Sequence, residues 1–292
     1  MELRFKIGPA VISLVFDSPA ESQIGELYEP FRYRGEEPSL LTVFIREGSL
    51  PTNQPKKWVA ELEKSWRLFQ GENFHELEIL EQMKFEPRAV ARIKRSWNEI
   101  DFYGTPPAWT VGSVIEPLVQ WWLARWAARE RKGFLLHGSA VAWNGCGLAF
   151  FGPSGAGKTT IARIFLEETG VEVLNDERIF LWRDEGRWRV SGTPWSGMLW
   201  KTSCRTVPLK GLFFLKKGPQ NQIKSLPLLS MTSNLISESF LPLWDQEGMH
   251  GIAELSGAVI QEVPCAELEF LKDASVVRYL DEILNRSEAI LL

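Results

Sequence analysis

Apolar positions alternate with charged ones over the first hundred residues and afterwards recur at helical spacing, so the chain changes character about a third of the way along. Leu3 to Ile7, Val11 to Phe16, Leu40 to Ile45 and Ala89 to Trp97 follow the two-residue period of strands with one buried face. Between these runs Trp58, Leu62, Trp66 and Phe69 stand at helical spacing and predict one helix interrupting the strands. The cluster Gly104-Thr105-Pro106-Pro107 fits neither pattern and reads as a turn-rich break. It divides the chain into a strand-rich module over residues 1–104, with no recognisable chemistry, and a second domain over 105–292.

The second domain opens on a helix. From Val114 to Arg131 the residues Ile115, Leu118, Val119, Trp122, Leu123, Trp126 and Ala127 share one face, and the pattern predicts a helix packed on that domain's core. Phe134 to Trp143 and the apolar run ending at Phe151 flank Asn144-Gly145, the strongest short-range hairpin signal, so these two strands are expected to pair antiparallel. Val171 to Leu174 predicts a strand, and Ile179 to Arg183 with Arg187 to Ser191 a hairpin leading into a loop at Gly192 to Gly197 that could cover a site. Gly211 to Leu215 and Leu268 to Leu271 read as strands, and Ser230 to Phe240, Gly248 to Ile260 and Ser275 to Leu284 as helices.

Between the strand Leu148 to Phe151 and a helix carrying Ile161, Ile164 and Phe165 lie Gly152-Pro153-Ser154-Gly155-Ala156-Gly157-Lys158-Thr159-Thr160. They match the phosphate-binding pattern G-x-x-x-x-G-K-[ST] in the strand-to-helix context it requires. Glycines let backbone N–H groups turn inward around phosphate oxygens, the helix offers its positive end, and Lys158 and the Thr159 hydroxyl complete the cradle. The acidic pair Asp176-Glu177 follows 18 residues after Lys158 at the carboxyl end of the next strand, the edge at which open α/β sheets bind ligands.

Composition narrows the partners. With 33 basic residues against 37 acidic, a net charge of −4 and 45% hydrophobic residues, there is no polybasic footprint for nucleic acid or acidic lipid. No uninterrupted apolar stretch reaches bilayer length, and the amino terminus lacks a secretory pattern, so a cytoplasmic protein is expected. Cys146, Cys204 and Cys265 are too scattered for a disulfide framework or metal cluster.

Leu136-His137-Gly138-Ser139-Ala140-Val141, the hairpin, Gly152 to Thr160 and Leu174-Asn175-Asp176-Glu177-Arg178 together resemble the catalytic domain of the HPr kinase/phosphorylase family, and more distantly ATP-dependent phosphoenolpyruvate carboxykinase. The resemblance covers about residues 134 to 200. It implies an α/β fold with a P-loop-containing mixed-sheet kinase core, preceded here by the smaller strand-rich module. It implies ATP and Mg²⁺ as cofactors, with Lys158 on the β- and γ-phosphates, Thr159 on the metal, Asp176 as catalytic acid-base or metal ligand, and Glu177 as a second metal ligand. His137 matches the family's histidine before the hairpin and is either a direct participant or a core residue. A homo-oligomer is consistent with the same resemblance. The segment that in the family carries a further metal-binding glutamate corresponds to Met198-Leu199-Trp200-Lys201-Thr202-Ser203, which has none, and this puts phosphorolysis in doubt.

Three functions follow in order. The first is an ATP/Mg²⁺-dependent kinase phosphorylating a serine or similar hydroxyl of a peptide, protein or small molecule. The second is a nucleotide-gated binding or scaffold protein with little or no catalysis. The third is a small-metabolite kinase, which the hairpin before the loop disfavours. Arg163, Arg178 and Arg205 are candidates for charge stabilisation, with ordinary surface pairing as the plainer account. Glu254 to Ala258 shares part of the transporter ATPase signature without its second glycine and glutamine.

Overall fold

The computed structural model of the chain describes residues 1–17, 25–47, 50–51, 54–62, 65–80, 86–104, 111–169 and 171–286. Most of the regular structure is strand, arranged in two large mixed sheets with helices, a mixed α/β architecture. By its internal contacts the chain forms two compact units, Met1–Trp122 and Leu123–Leu292. The turn-rich break expected at Thr105 to Pro107 lies outside the described residues. No helix among them is long and apolar enough to cross a membrane.

The first unit is built on eight strands: β1 (Glu2–Ile7), β2 (Ala10–Phe16), β3 (Leu41–Glu47), β4 (Lys56–Leu62), β5 (Trp66–Gly71), β6 (Phe74–Leu80), β7 (Pro87–Lys94) and β8 (Glu99–Gly104). They lie in the order β1-β2-β3-β8-β7-β6-β5-β4, with β2–β3 and β3–β8 parallel and the other pairs antiparallel. The helix expected over Trp58 to Phe69 is instead the β4–β5 hairpin. Its apolar residues, spaced four, four and three apart, meet across the two strands as Trp58 opposite Phe69 and Leu62 opposite Trp66. Helical spacing and hairpin pairing bring the same residues together, and pairing of β5 with β6 on its other side favours the hairpin.

The expected helix forms in three pieces: α1 (Val111–Val114), a π-helical turn (Ile115–Val119) and α2 (Gln120–Arg129). Pro117 at the centre of the π turn supplies the cause, because a proline ring removes a helical N–H and crowds the preceding turn. Trp122 donates its indole N–H to the Trp97 carbonyl at 2.6 Å, and the Trp121 ring stacks on Trp97 at 5.5 Å. The start of α2 thus packs into the first unit, whereas the tryptophan stripe predicted packing on the second domain's core alone.

In the second unit β9 (Gly133–Trp143) and β10 (Cys146–Phe151) form the antiparallel hairpin that Asn144-Gly145 predicted, with φ of 48° and 77° at the two turn residues. Then come α3 (Lys158–Thr169), β11 (Glu172–Asn175), β12 (Arg178–Asp184), β13 (Arg187–Ser191), β14 (Thr206–Lys217), β15 (Gln222–Lys224), α4 (Leu228–Ser237), α5 (Gln246–Glu262), β16 (Cys265–Phe270) and α6 (Ser275–Arg286). The strands β9, β10, β14, β13 and β12 pair in a closed path, β10 lying parallel to β14, and β16 and β15 extend the sheet beyond β14. Phe151, Leu174, Ile179 and Leu212 share one apolar cluster with Met231, Leu235 and Ile252 of α4 and α5. Phe150, Phe213 and Leu268 share another with Ile161, Phe165 and Leu280 of α3 and α6. Burying some ten such side chains at about 2 kcal/mol each is the main term holding both helical layers to the sheet.

Candidate functional site

β9 is the strand on which the site is assembled. β10 leaves it at Phe151, opposite Gly138, and the segment after α4 takes over that edge: His137 N–H donates to the Glu238 carbonyl at 2.8 Å and Phe240 N–H to that of Leu135 at 3.0 Å. On the other edge β12 pairs with β9, and Gly138 N–H donates to the Glu177 carbonyl at 3.1 Å. His137 therefore sits between the backbones of Glu177 and Glu238. Its side chain is bracketed likewise, with Nε2 3.4 Å from Glu177 Oε1 and Nδ1 3.8 Å from Glu238 Oε2. His137 and Glu177 are each about a third exposed, and Glu238 is 15% exposed. Arg178 lies opposite His137 in register and places its guanidinium over the Phe240 ring.

The loop between β10 and α3 runs through three left-handed glycines, Gly152 (φ 144°), Gly155 (φ 78°) and Gly157 (φ 115°). A Cβ at Gly157 would stand 2.7 Å from Phe270 Cζ, so glycine is required there twice over. Pro153, Ser154 and Gly155 are exposed, and Ala156 N–H closes a turn onto the Pro153 carbonyl at 3.0 Å. The first helical bond is that from Ile161 N–H to the Gly157 carbonyl, so the amides of Lys158, Thr159 and Thr160 precede the helical ladder and face out of the amino end of α3.

Lys158 is buried. Its Nζ donates to the Gly152 carbonyl at 2.6 Å and the Pro153 carbonyl at 3.3 Å, and its own carbonyl accepts from Ser139 Oγ at 2.8 Å. Burial holds its ammonium below the usual lysine range, and Glu238 and then Glu177 draw it partly back. Lys158, His137, Glu177 and Glu238 thus form one charged group at the mouth of the loop.

Asp176 stands apart from that group. It is fully buried, and its two carboxylate oxygens accept the N–H groups of Gly197 at 3.0 Å and Leu199 at 3.1 Å. It pins the loop after β13, whose residues Met198 and Trp200 (φ 51°) are exposed. Asn175 accounts for the opposite aims of the two neighbouring carboxylates. Its Oδ1 accepts the N–H groups of Glu177 at 2.7 Å and Arg178 at 2.8 Å, a side-chain-closed turn that twists the chain between residues 176 and 178. Its Nδ2 donates to the Thr193 carbonyl at 2.8 Å.

The remaining candidates disperse. Arg163 is exposed on α3, Arg205 pairs with Glu172 at 3.0 Å, and His75 packs 4.7 Å from the Trp97 ring in the first unit. Among the described residues no group of three or more His, Cys, Asp or Glu is arranged to hold a metal ion. Glu238, Asn175 and Ser139 were not among the candidates. An asparagine before an acidic pair is a readable turn signal; Glu238, just past a helix end with no motif around it, offers none.

The family model described as "SynChlorMet cassette protein ScmC" matches residues 117–263, half of the chain and the span that contains every member of the charged group. No curated protein matches the chain. Among solved structures the chain is similar to the Hpr(Ser) kinase/phosphatase from Coxiella burnetii, at 10% identity over 51% of this chain and 93% of that one, with a TM-score of 0.30.

Proposed function

The chain belongs to the SynChlorMet cassette protein ScmC family, and from that premise we propose that it is an ATP- and Mg²⁺-dependent phosphotransferase acting on a serine or similar hydroxyl of a peptide, protein or small molecule. One observation carries the proposal: the buried Lys158 ammonium donates to carbonyls of its own loop and feels the charges of Glu238 and Glu177, at a turn of left-handed glycines and unladdered amides. Burying a lysine costs several kcal/mol unless a ligand or partner offsets it, about the scale of one charge-assisted contact with phosphate.

In this reading the amides of Lys158, Thr159 and Thr160 at the amino end of α3 cradle the triphosphate and Lys158 swings from the Gly152 carbonyl onto it. The Thr159 hydroxyl and the Glu177 carboxylate are the hard oxygen donors that magnesium takes, few in number because phosphate and water fill the rest of its shell. The ion, when bound, neutralises charge on the transferring phosphoryl group. Glu177, 3.4 Å from His137 and close enough to Lys158 to act on its ammonium, is the carboxylate placed to hold that ion. Asp176, given to Gly197 and Leu199, positions the loop beside it.

That commitment of Asp176 also favours the second reading, a nucleotide-gated binding protein with slow or no transfer. Labelled ATP separates the two. Binding of Mg·ATP by calorimetry together with transfer of γ-label to a hydroxyl-bearing peptide supports the kinase; binding without transfer across serine, threonine and small-alcohol acceptors supports the gate; no binding removes both.

A further inference from the structure

A second ammonium, that of Lys217, stands at the loop between β10 and α3, and no motif or resemblance assigns it. β14 runs parallel to β10 with Phe214 beside Phe151, and it continues through Leu215, Lys216 and Lys217 past the point where β10 gives way to the loop. The Leu215 carbonyl oxygen and amide nitrogen lie 3.3 and 3.5 Å from where a Cβ on Gly152 would stand, so this overhang runs alongside the start of the loop. Side chains alternate along it. Leu215 joins Ile161 and Phe165 of α3 in one apolar cluster, Lys216 turns to the other face and pairs with Glu267 at 3.7 Å, and Lys217 returns to the α3 face. Its Nζ lies 3.9 Å from the Cβ position of Gly155, the left-handed glycine in the exposed part of the loop. We propose that Lys217 is a phosphate-contacting residue that grips the polyphosphate chain of the ligand from the neighbouring strand, a role that deepens the phosphotransferase reading and rests on it.

The neighbouring lysines are neutralised and this one is not. Lys216 pairs with Glu267 and Lys224 with Glu269 at 2.5 Å, whereas Lys217 has no ion pair among the described residues. Its surroundings do not favour a cation. The amino end of α3 and its unladdered amides carry positive partial charge, and the buried Lys158 ammonium belongs to the same loop. A polyphosphate reverses that balance, because one anion of several charges is shared by the amides and by both ammoniums. Gly155 leaves its part of the loop without a side chain, so a ligand oxygen meets the backbone and the Lys217 ammonium together. The compact ammonium on its flexible stem follows the phosphates without moving the strand that carries it. Because Lys217 is exposed, removing its charge acts on affinity rather than on the fold.

Isothermal titration of Mg·ATP and, separately, of pyrophosphate into the wild-type chain, K217M, K217R and K210M reads the contact. Lys210 is an exposed lysine earlier on the same strand and serves as the control for charge alone. K217M is expected to bind both probes about three- to tenfold more weakly, K217R to regain most of the loss, and K210M to match the wild type. The loss should shrink at high salt, since an exposed charge is screened, while the urea midpoint of K217M stays at the wild-type value, which a merely structural role would not allow. Wild-type binding of Mg·ATP with equal affinity in K217M, or an equal loss in K210M, overturns the inference and leaves the ATP reading standing. A wild-type chain that binds pyrophosphate in a Lys217-dependent way but binds no Mg·ATP keeps the inference and removes the kinase. A wild-type chain that binds neither probe overturns both.

Discussion

Lys158 Nζ donates to the carbonyl of Gly152 at 2.6 Å, so the lysine of the loop is held by the loop's own first residue. A contact of this kind keeps the ammonium near its working position without a ligand. It also stores a cost that a bound anion would relieve.

Lys158→Met is therefore expected to weaken Mg·ATP binding roughly 10- to 100-fold, the equivalent of the 1.5–3 kcal/mol of a hydrogen bond to a charged group. The variant should be at least as stable as the wild-type chain without nucleotide, since a methionine buries without a charge. At the same nucleotide concentration the melting temperature should rise more for the wild-type chain than for the variant. Differential scanning fluorimetry with and without Mg·ATP reads both effects.

The pH dependence follows with a definite sign. Burial lowers the Lys158 value in the folded chain, so between that value and the unfolded one the unfolded chain binds more protons. Stability contributed by this residue therefore rises with pH through that alkaline window, and nucleotide affinity falls as the ammonium is lost. Lys158→Met should abolish this difference in both. Urea titrations and calorimetry from neutral to alkaline pH test it.

Asp176 and Glu177 should separate cleanly under substitution. Asp176→Asn sets an amide N–H₂ against the Gly197 or Leu199 N–H and is expected to cost about 1–3 kcal/mol of stability. Glu177→Gln, partly exposed, should change stability by less than about 0.5 kcal/mol and transfer at least tenfold. Chemical denaturation alongside label transfer checks the pair, and a stable but inactive Asp176→Asn would return the catalytic role to Asp176.

Asp245 caps α5 by accepting from Gly248 N–H at 3.2 Å and pairs with Arg125 and Arg129, each at 2.7 Å. Burial lowers Arg125 to about 10 even with this partner. Asp245→Ala takes this carboxylate away from a buried cation and should cost roughly 3–5 kcal/mol, visible as a lower urea midpoint.

Much of the second unit was legible because its signals are local. Asn144-Gly145 names its turn, and Gly152 to Thr160 names the strand-to-helix junction within a few residues. The first unit was less legible. Trp58, Leu62, Trp66 and Phe69 satisfy helix and hairpin spacing alike, and only cross-strand pairing with β6 and the rest of the sheet resolves the choice. The charged group shows the same limit. Lys158 and Glu177 belong to short motifs, but Glu238 reaches them through a pairing across 101 residues of sequence to His137, which no local pattern encodes. The opposite aims of Asp176 and Glu177 depend on the Asn175 turn and on amides more than 20 residues downstream.

Isothermal titration of Mg·ATP into the wild-type chain and into Lys158→Met is the most direct test of the account. It predicts saturable one-to-one binding to the wild-type protein and a loss of at least tenfold in the variant. Equal affinity in the two proteins, or no heat of binding in either, would contradict it.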